Sequence, residues 1–417
     1  MENGIEAGSS SYRWVIEGLI ILMLIVQVMA WLAPAPILAP IVASLRISMG
    51  QFGLIISIIS LCIGLFSFLG GALTDRFGPL KVLLVGIWLL AVGEIASGLT
   101  NSYSLLLLCR VVEGVGFGLM IGPPAALVMD WFSEREWPYI NTVNSMIAYV
   151  GLTALFAITP RVYHAVGSSW RRTLVCYGLS AAVAALLWTL FGRQRQPTVV
   201  ANHRPQTNSP SALSEVLRMR GVILMSVALF GGMWVFQIYT SFLPEFFREY
   251  RGLGLEEAST LTGLLPLTGI FAAGLGGVAN GMIGLRKPFL WPLAILSLVG
   301  YFAAILLTDI VGISVGLILI GIGASGGLAA VATLMMELPG MTPAKMGPAF
   351  ATIWAVGYTG AFISPILGGL LVPSMGLHNV LLMAAILQIL PIVAMYLLPE
   401  TGPGRRRLTM AATAAGR

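Results

Sequence analysis

The chain of 417 residues is 57% hydrophobic and only 10% charged, whereas a soluble domain usually carries about 25% charged residues. This composition excludes an ordinary water-soluble domain, because one soluble core cannot bury so much apolar surface, and it indicates lipid as the solvent. The net charge is +6, and because the basic residues lie in short segments between apolar runs, they indicate membrane orientation rather than nucleic-acid binding.

Twelve apolar runs in chain order are predicted to be membrane-spanning α-helices. A helix needs about 20 mostly apolar residues to cross the hydrocarbon core, and only helices satisfy the backbone polar groups of such segments there. The sequence therefore predicts an all-α membrane protein with spans at 14–39, 48–73, 79–99, 103–129, 139–160, 170–191, 220–243, 258–283, 288–307, 310–336, 347–371 and 378–398.

One long polar break divides the predicted helices into two sets of six. The chain is expected to form an N-terminal six-helix bundle, a cytoplasmic linker, a C-terminal six-helix bundle and a cytoplasmic tail, at 1–191, 192–219, 220–398 and 399–417. The two halves resemble each other, which predicts a pseudo-symmetric pair of bundles. At a constant shift of 206, Gly70-Gly71, Gly78 and Lys81 match Gly276-Gly277, Gly284 and Lys287, and at a shift of 207 Asp130 matches Glu337.

The basic residues predict the orientation of the chain. If both termini are cytoplasmic, sixteen lysines and arginines lie on the cytoplasmic side and six on the outer side, as the positive-inside rule requires. We therefore expect an integral, multi-pass protein of a bacterial or archaeal cytoplasmic (inner) membrane, with both termini inside. It is expected to be a monomer whose partners are membrane lipid and a small-molecule substrate, with no nucleic acid.

The polar segment between the second and third spans is predicted to be a tight turn. Gly70-Gly71 is expected to end one helix, Asp75-Arg76 and Gly78 to form the turn, and Pro79 to open the next helix. This segment resembles the cytoplasmic loop motif of the major facilitator superfamily, although Pro79-Leu80 replaces its first basic position. The resemblance implies a conformational latch between neighbouring helices, formed by Gly71, Asp75, Arg76, Gly78 and Lys81 with Leu73 also in a motif position.

Few ionisable groups lie within the predicted spans, where a charge costs about 2.5–3.5 kcal/mol on insertion scales, and the candidates among them are Glu17, Glu94, Arg110 and Glu113. Arg110 and Glu113 are three residues apart on one helical face. The stretch from Arg110 to Gly118 resembles the fourth-helix motif of the same superfamily, which implies a role for Arg110 in proton coupling and at a central cavity. A guanidinium there would bind a carboxylate or an anionic substrate, and protonation of Glu113 could release it.

Alternatives remain open for each of these charged residues. Arg110 and Glu113 could form a permanent structural ion pair that fastens helices together. Glu94, in the third span, could contact Arg110 or could reach the lipid headgroups. Glu17, near the inner end of the first span, could likewise be an interfacial residue.

Candidate substrate-binding residues are polar or aromatic side chains expected near mid-depth in inward-facing spans. No Walker loop, metal-ligand spacing or catalytic constellation is present, and three histidines and three cysteines are scattered, so we expect no enzyme, metal or cofactor. A proton or other ion gradient would be the driving force. The binding-site candidates are Gln27, Trp31, Asn144, Tyr149, Trp234, Gln237, Tyr239, Ser325, Trp354 and Tyr358.

The segment from Asp130 to Glu136 resembles the small-anion branches of the superfamily, the cyanate- and nitrate-type porters. The family implies two six-helix bundles, the major facilitator fold, that rock to give alternating access to a central site. We therefore expect a proton-coupled secondary transporter, a symporter of a small organic anion or polar metabolite. The alternative is a drug or multisubstrate proton antiporter, although the fifth span lacks the antiporter motif G-x-x-x-G-P-x-x-G-G.

Overall fold

A computed structural model describes residues 11–133, 135–195, 214–402 and 404, and these residues are almost entirely helical. Short 3₁₀ turns cover Ala35–Ile37 and Lys287–Phe289. The α-helices are α1 (Arg13–Leu32), α2 (Leu38–Leu45), α3 (Met49–Phe77), α4 (Pro79–Leu99), α5 (Tyr103–Leu119), α6 (Pro123–Trp131), α7 (Trp137–Ala165), α8 (Trp170–Phe191), α9 (Arg220–Arg251), α10 (Leu255–Thr262), α11 (Leu264–Ile283), α12 (Trp291–Leu306), α13 (Ile310–Ser325), α14 (Leu328–Met336), α15 (Pro343–Ile386) and α16 (Ile389–Leu397).

The described residues contain eleven helical segments that are long and apolar enough to cross a membrane. The last segment, Lys345–Leu397, has 53 residues and would be about 80 Å long if straight, against a hydrocarbon core of about 30 Å. It is broken at Gly376, where φ is 78° and ψ is 156°. This break is compatible with the two predicted spans 347–371 and 378–398, and the predicted all-α, multi-pass membrane fold is confirmed.

The first predicted span is not one continuous helix. We expected it to run from 14 to 39, but α1 ends at Leu32 and a 3₁₀ turn separates it from α2. The reason is that Pro34 has no N–H with which to bond the carbonyl of Ala30, four residues earlier. The break therefore leaves carbonyl groups at the end of α1 without their helical donors.

The predicted turn between the second and third spans is shorter than expected. Gly70-Gly71 does not end the helix, because α3 continues through Asp75 and Arg76 to Phe77. Only Gly78 interrupts the chain, with φ at 89°, a conformation that glycine adopts without a steric penalty. Pro79 then occupies the first turn of α4, as expected.

The chain forms two compact units that do not follow the predicted halves. The first takes in the described part of Met1–Val200 with Gln237–Gly263 and Ala361–Val380, and the second takes in the remaining described residues. The bundle boundaries predicted from the sequence therefore stay predictions. Residues 196–213 of the predicted linker and 405–417 of the predicted tail lie outside the described residues.

Very close helix packing explains why Ala361–Val380 belongs to the first unit. A Cβ atom added at Gly53 on α3 would overlap the carbonyl oxygen of Pro365 on α15. A Cβ added at Gly369 would likewise overlap the carbonyl oxygen of Met49. Small residues allow such close approach of membrane helices.

Candidate functional site

Three charged side chains meet inside the first unit, and each is 0% exposed. Arg110 on α5 donates from Nη1 to Glu113 Oε2 at 2.6 Å and to Glu94 Oε2 at 3.2 Å. Glu113 lies one turn further along α5, whereas Glu94 comes from α4. The predicted Arg110–Glu113 pair is thus present, and Glu94 joins it instead of reaching the headgroups. We call these three residues the buried triad.

The guanidinium of Arg110 also binds three backbone carbonyls. Its Nη1 donates to Ala30 O at 3.0 Å, its Nη2 to Trp31 O at 2.5 Å, and its Nε to Ile55 O at 3.2 Å. Two of these acceptors are the carbonyls near the broken end of α1. A cation is favourable at a helix C-terminus, so the proline that ends α1 also creates a binding place for Arg110.

The two carboxyl groups of the triad have unequal surroundings. Glu113 accepts the short bond from Arg110 and a second bond at 2.6 Å from the Oγ of Ser97. Glu94 accepts only the longer bond from Arg110, and its Oε1 has no hydrogen-bond partner among the described residues. If all three groups were ionised, the triad would carry a net charge of −1 in a site closed to water.

Glycine allows α4 and α5 to approach closely enough to form the triad. A Cβ at Gly93 would lie 2.6 Å from Glu113 Cγ and 3.0 Å from the carbonyl oxygen of Cys109. Any larger residue at position 93 would therefore displace the Glu113 side chain from Arg110. The triad depends on this helix contact as well as on its charges.

Two predicted binding residues on α1 contact Phe117 on α5. Gln27 is 2% exposed and donates from Nε2 to the carbonyl of Phe117 at 3.2 Å. Trp31 is buried, and its ring packs edge-on against Phe117 with centroids 5.7 Å apart. Both side chains fix the end of α1 relative to α5, next to the carbonyls that Arg110 binds.

Other predicted binding residues of the first unit are scattered. Gln237 and Tyr239 on α9 are almost fully buried, and the Oε1 of Gln237 has no partner among the described residues. Tyr149 and Asn144 on α7 are half-buried. The hydrogen bonds of the triad all go to other groups, so the role of these four residues in substrate binding stays a prediction.

In the second unit, aromatic residues form a ladder along one face of α15. Phe350, Trp354 and Tyr358 follow each other at successive turns, with neighbouring ring centroids 5.8 Å apart in each case. Trp354 and Tyr358 are half-buried, and on α9 the half-buried Trp234 packs against Phe230 at 5.7 Å. Ser325, also predicted to bind substrate, is instead 1% exposed.

The predicted latch residues are not joined by ion pairs in the part of the chain that the structure describes. Asp75, Arg76 and Lys81 are exposed, and the ion pairs found among the described residues include none of them. Arg76 instead lies over the ring of Phe77, and a Cβ at Gly71 would meet nothing within 4 Å. The latch therefore stays a prediction.

A charged cluster that the sequence did not reveal lies in the corresponding loop of the second unit. Arg286 forms a two-point bond with Glu337, from Nη2 at 2.9 Å and from Nε at 3.1 Å. Glu400, beyond α16, accepts from the backbone N–H groups of Arg286 at 2.8 Å and of Lys287 at 2.9 Å, and Thr401 donates to Glu337 at 2.7 Å. The one available signal was the repeat, which pairs Glu337 with Asp130.

The pKa of Glu400 provides a test of this cluster. Burial alone would raise the pKa of the Glu400 carboxyl, but the backbone N–H groups of Arg286, Lys287 and Gly402 hold it below the ordinary value. A carboxyl with a depressed pKa in the folded state stabilises the protein above its unfolded pKa of about 4.3 and loses that effect as the pH falls through the folded pKa.

We therefore expect Glu400→Gln to lower the stability at pH 7 by about 1 kcal/mol, which is a common cost of removing a side chain that caps backbone N–H groups. The difference from the wild type should shrink as the pH falls below about 4. Thermal unfolding in detergent between pH 7 and pH 3.5 measures both effects. Glu249→Gln, at an exposed position, is the control, and an equal loss at every pH would contradict this account of Glu400.

Comparisons with known proteins give a consistent result. The sequence matches the family model described as Major Facilitator Superfamily over residues 20–359. It is 25% identical over 248 residues to the hexuronate transporter of Bacillus subtilis, which covers 57% of either chain. It is 25% identical over 260 residues to a probable sulfoacetate transporter of Cupriavidus necator, covering 59% of this chain and 60% of that protein. The matched regions thus span little more than half the length of these relatives.

The fold resembles that of a solved transporter over nearly its whole length. The crystal structure of a bacterial homologue of the human lysosomal transporter Spinster superposes with a TM-score of 0.80 and 15% sequence identity, covering 94% of this chain and 98% of that one. At this level of identity the likeness concerns the fold alone.

Proposed function

Because the chain belongs to the major facilitator superfamily, we propose that it is a proton-coupled secondary transporter that moves a small organic anion across the membrane by alternating access. It is an integral, multi-pass membrane protein, and its similar relatives are transporters rather than enzymes. The observation that carries the proposal is the buried triad, in which two carboxyl groups share one guanidinium.

The charges of the triad support proton binding. An unbalanced charge away from water costs several kcal/mol even after the protein relaxes, and one proton would balance the triad. The hydrogen bonds favour Glu94 as the group that takes it up, because Glu113 already accepts two short bonds, from Arg110 and Ser97. This differs from the expectation from sequence, which gave that role to Glu113.

Proton binding at Glu94 would link protonation to conformation. With the proton bound, the triad is neutral and tolerates complete burial. Without it, the excess negative charge favours any state in which water or another cation reaches the triad. A ligand shifts a conformational equilibrium by its difference in affinity for the two states, so the proton would drive the change of access.

The names of the two relatives support an anionic substrate, since hexuronates and sulfoacetate are small organic anions. Arg110 itself is enclosed in this structure and has all its bonds within the protein, so it is not exposed to a substrate in this state. We assign substrate contact to the half-buried aromatic side chains of the second unit, Trp234, Trp354 and Tyr358.

Transport by Glu94→Gln in proteoliposomes tests the proposal, with labelled glucuronate (a hexuronate) and sulfoacetate as probes. Glutamine keeps the shape of glutamate but cannot release a proton. We expect the variant to lose accumulation driven by a pH gradient, by at least tenfold, and to keep exchange of labelled for unlabelled anion. A structural ion pair would instead lower both activities together.

Two other outcomes would contradict the proposal. Undiminished accumulation by Glu94→Gln in response to a pH gradient would remove the triad from coupling. Binding of cationic drugs and of neither anion, measured by thermal shift of the purified wild type, would favour the efflux alternative.

A further inference from the structure

A second buried carboxyl group lies outside the triad. Glu17 on α1 is 4% exposed, so it is not the interfacial residue that the sequence left as an alternative. Neither of its carboxyl oxygens has a hydrogen-bond partner among the described residues. The polar side chain that faces it is Asn144 on α7, and the Oδ1 of Asn144 also lacks a partner there.

No cation balances Glu17 within the described part of the chain. Arg13, one turn earlier on α1, is paired with Glu136 at 3.0 Å. The same end of α8 has no ionisable residue within the helix, and Arg193, two residues beyond it, lies over the ring of Tyr12. The ionisable groups at this end of the other helices packed on α1, none of which bonds to Glu17, are Asp75, Arg76, Lys81, Asp130, Tyr139 and Tyr149.

A proton bound to Glu17 would provide the hydrogen bond that Glu17 and Asn144 lack. An ionised Glu17 would be an unpaired charge in a site closed to water, which costs several kcal/mol. The amide N–H groups of Asn144 can donate to the ionised carboxylate, but Asn144 is uncharged and does not balance its charge. A proton on Glu17 removes the charge and gives the carboxyl an O–H donor, which can bond to the unpaired Oδ1 of Asn144.

We propose that Glu17 is a second proton-binding site, with Asn144 as the acceptor of its hydrogen bond. The site lies on the same face of α1 as Trp31, about 20 Å from the carbonyls that hold Arg110, so it is separate from the triad. Its existence is independent of the triad. We assign to this site the role of passing the coupled proton to or from the side of the membrane where α1 begins. This role rests on the proposed function.

Infrared difference spectroscopy tests the site without any substrate. The purified, reconstituted protein would be titrated with pH, and the carbonyl stretching band of protonated carboxylic acids would be followed in the wild type, Glu17→Gln and Glu94→Gln. We expect each variant to lose one separate component of this band. Glu17→Gln is expected to fold, because its amide can bond to Asn144.

A variant of the partner gives a second readout. Asn144→Leu removes the acceptor. The Glu17 component should therefore remain but shift to a higher frequency, as expected for a protonated carboxyl group whose O–H makes no hydrogen bond. This shift distinguishes a hydrogen-bonded site from a carboxyl that is only buried. It also keeps the proposal testable if Glu17→Gln proves unstable.

Several results would overturn the proposal. Identical band intensities in the wild type and Glu17→Gln at every pH would show that Glu17 is not protonated. Loss of the Glu17 component on addition of sodium or choline at constant pH would show a cation site instead. A wild-type spectrum with the Glu17 component but without a Glu94 component would confirm the Glu17 site and contradict the proposed role of Glu94. The role of Glu17 in coupling is then tested by transport of the two anions by Glu17→Gln. Normal proton-driven accumulation by that variant would refute the role.

Discussion

Replacing Arg110 with methionine is expected to destabilise the protein by about 3–5 kcal/mol, the usual cost of removing one partner of a buried ion pair. The loss should be this large because Arg110 holds Glu94, Glu113 and three backbone carbonyls in one site that is closed to water. Transport of both anions should fall below detection. Unfolding by denaturant in a fixed detergent, with the wild type measured in parallel, gives the change.

Two matched variants separate the triad from a general effect of removing an arginine. Arg161 pairs with Glu256 at 2.7 Å, but both side chains are about half exposed, so Arg161→Met should cost less than about 1 kcal/mol. The triple variant Arg110→Met, Glu94→Gln, Glu113→Gln leaves no buried charge and should recover part of the lost stability. Equal losses for Arg110→Met and Arg161→Met would show that the triad is not a closed charged site.

Alanine at position 53 should produce the second largest effect. Its Cβ would overlap the carbonyl oxygen of Pro365, and a backbone atom cannot move aside as a flexible side chain can. Because α3 and α15 would have to separate, we expect Gly53→Ala to cost about 1–3 kcal/mol, the range for overpacked interiors. The thermal unfolding midpoint in detergent should therefore fall.

Gly232 on α9 provides the control, because a Cβ there would meet nothing within 4 Å. An alanine within a helix is favoured over glycine by roughly 0.5–1 kcal/mol, so Gly232→Ala should raise the midpoint slightly. Opposite signs for the two variants would confirm the helix contact at Gly53. A raised midpoint in both would mean that α3 and α15 do not pack at this position.

Local patterns were sufficient to predict much of the fold. The apolar runs predicted the spans, because a helix that crosses the membrane needs a long stretch of mostly apolar residues. The spacing of Arg110 and Glu113 placed them on one face of one helix, where they do pair. Gly78 and Pro79 marked the start of α4 correctly, since each acts through its own backbone geometry.

The parts that sequence reasoning missed depend on distant residues. Glu94 and Arg110 are on different helices, so nothing local distinguishes a triad member from an interfacial glutamate. The cluster at Arg286 joins it to Glu337, 51 residues away, and to Glu400, 114 residues away. The break after Leu32 was also missed, although its cause is local. Pro34 is present in the sequence, and the loss of the bond to the carbonyl of Ala30 follows from its missing N–H alone.

Proton movement during anion entry shows whether the triad takes up a proton together with the anion. Proteoliposomes containing a pH-sensitive dye would receive glucuronate or sulfoacetate on the outside, with no initial pH gradient. We expect the interior of wild-type vesicles to acidify as the anion enters, and vesicles with Glu94→Gln to show anion exchange without acidification. Entry of the anion into wild-type vesicles with no change in internal pH would contradict this expectation.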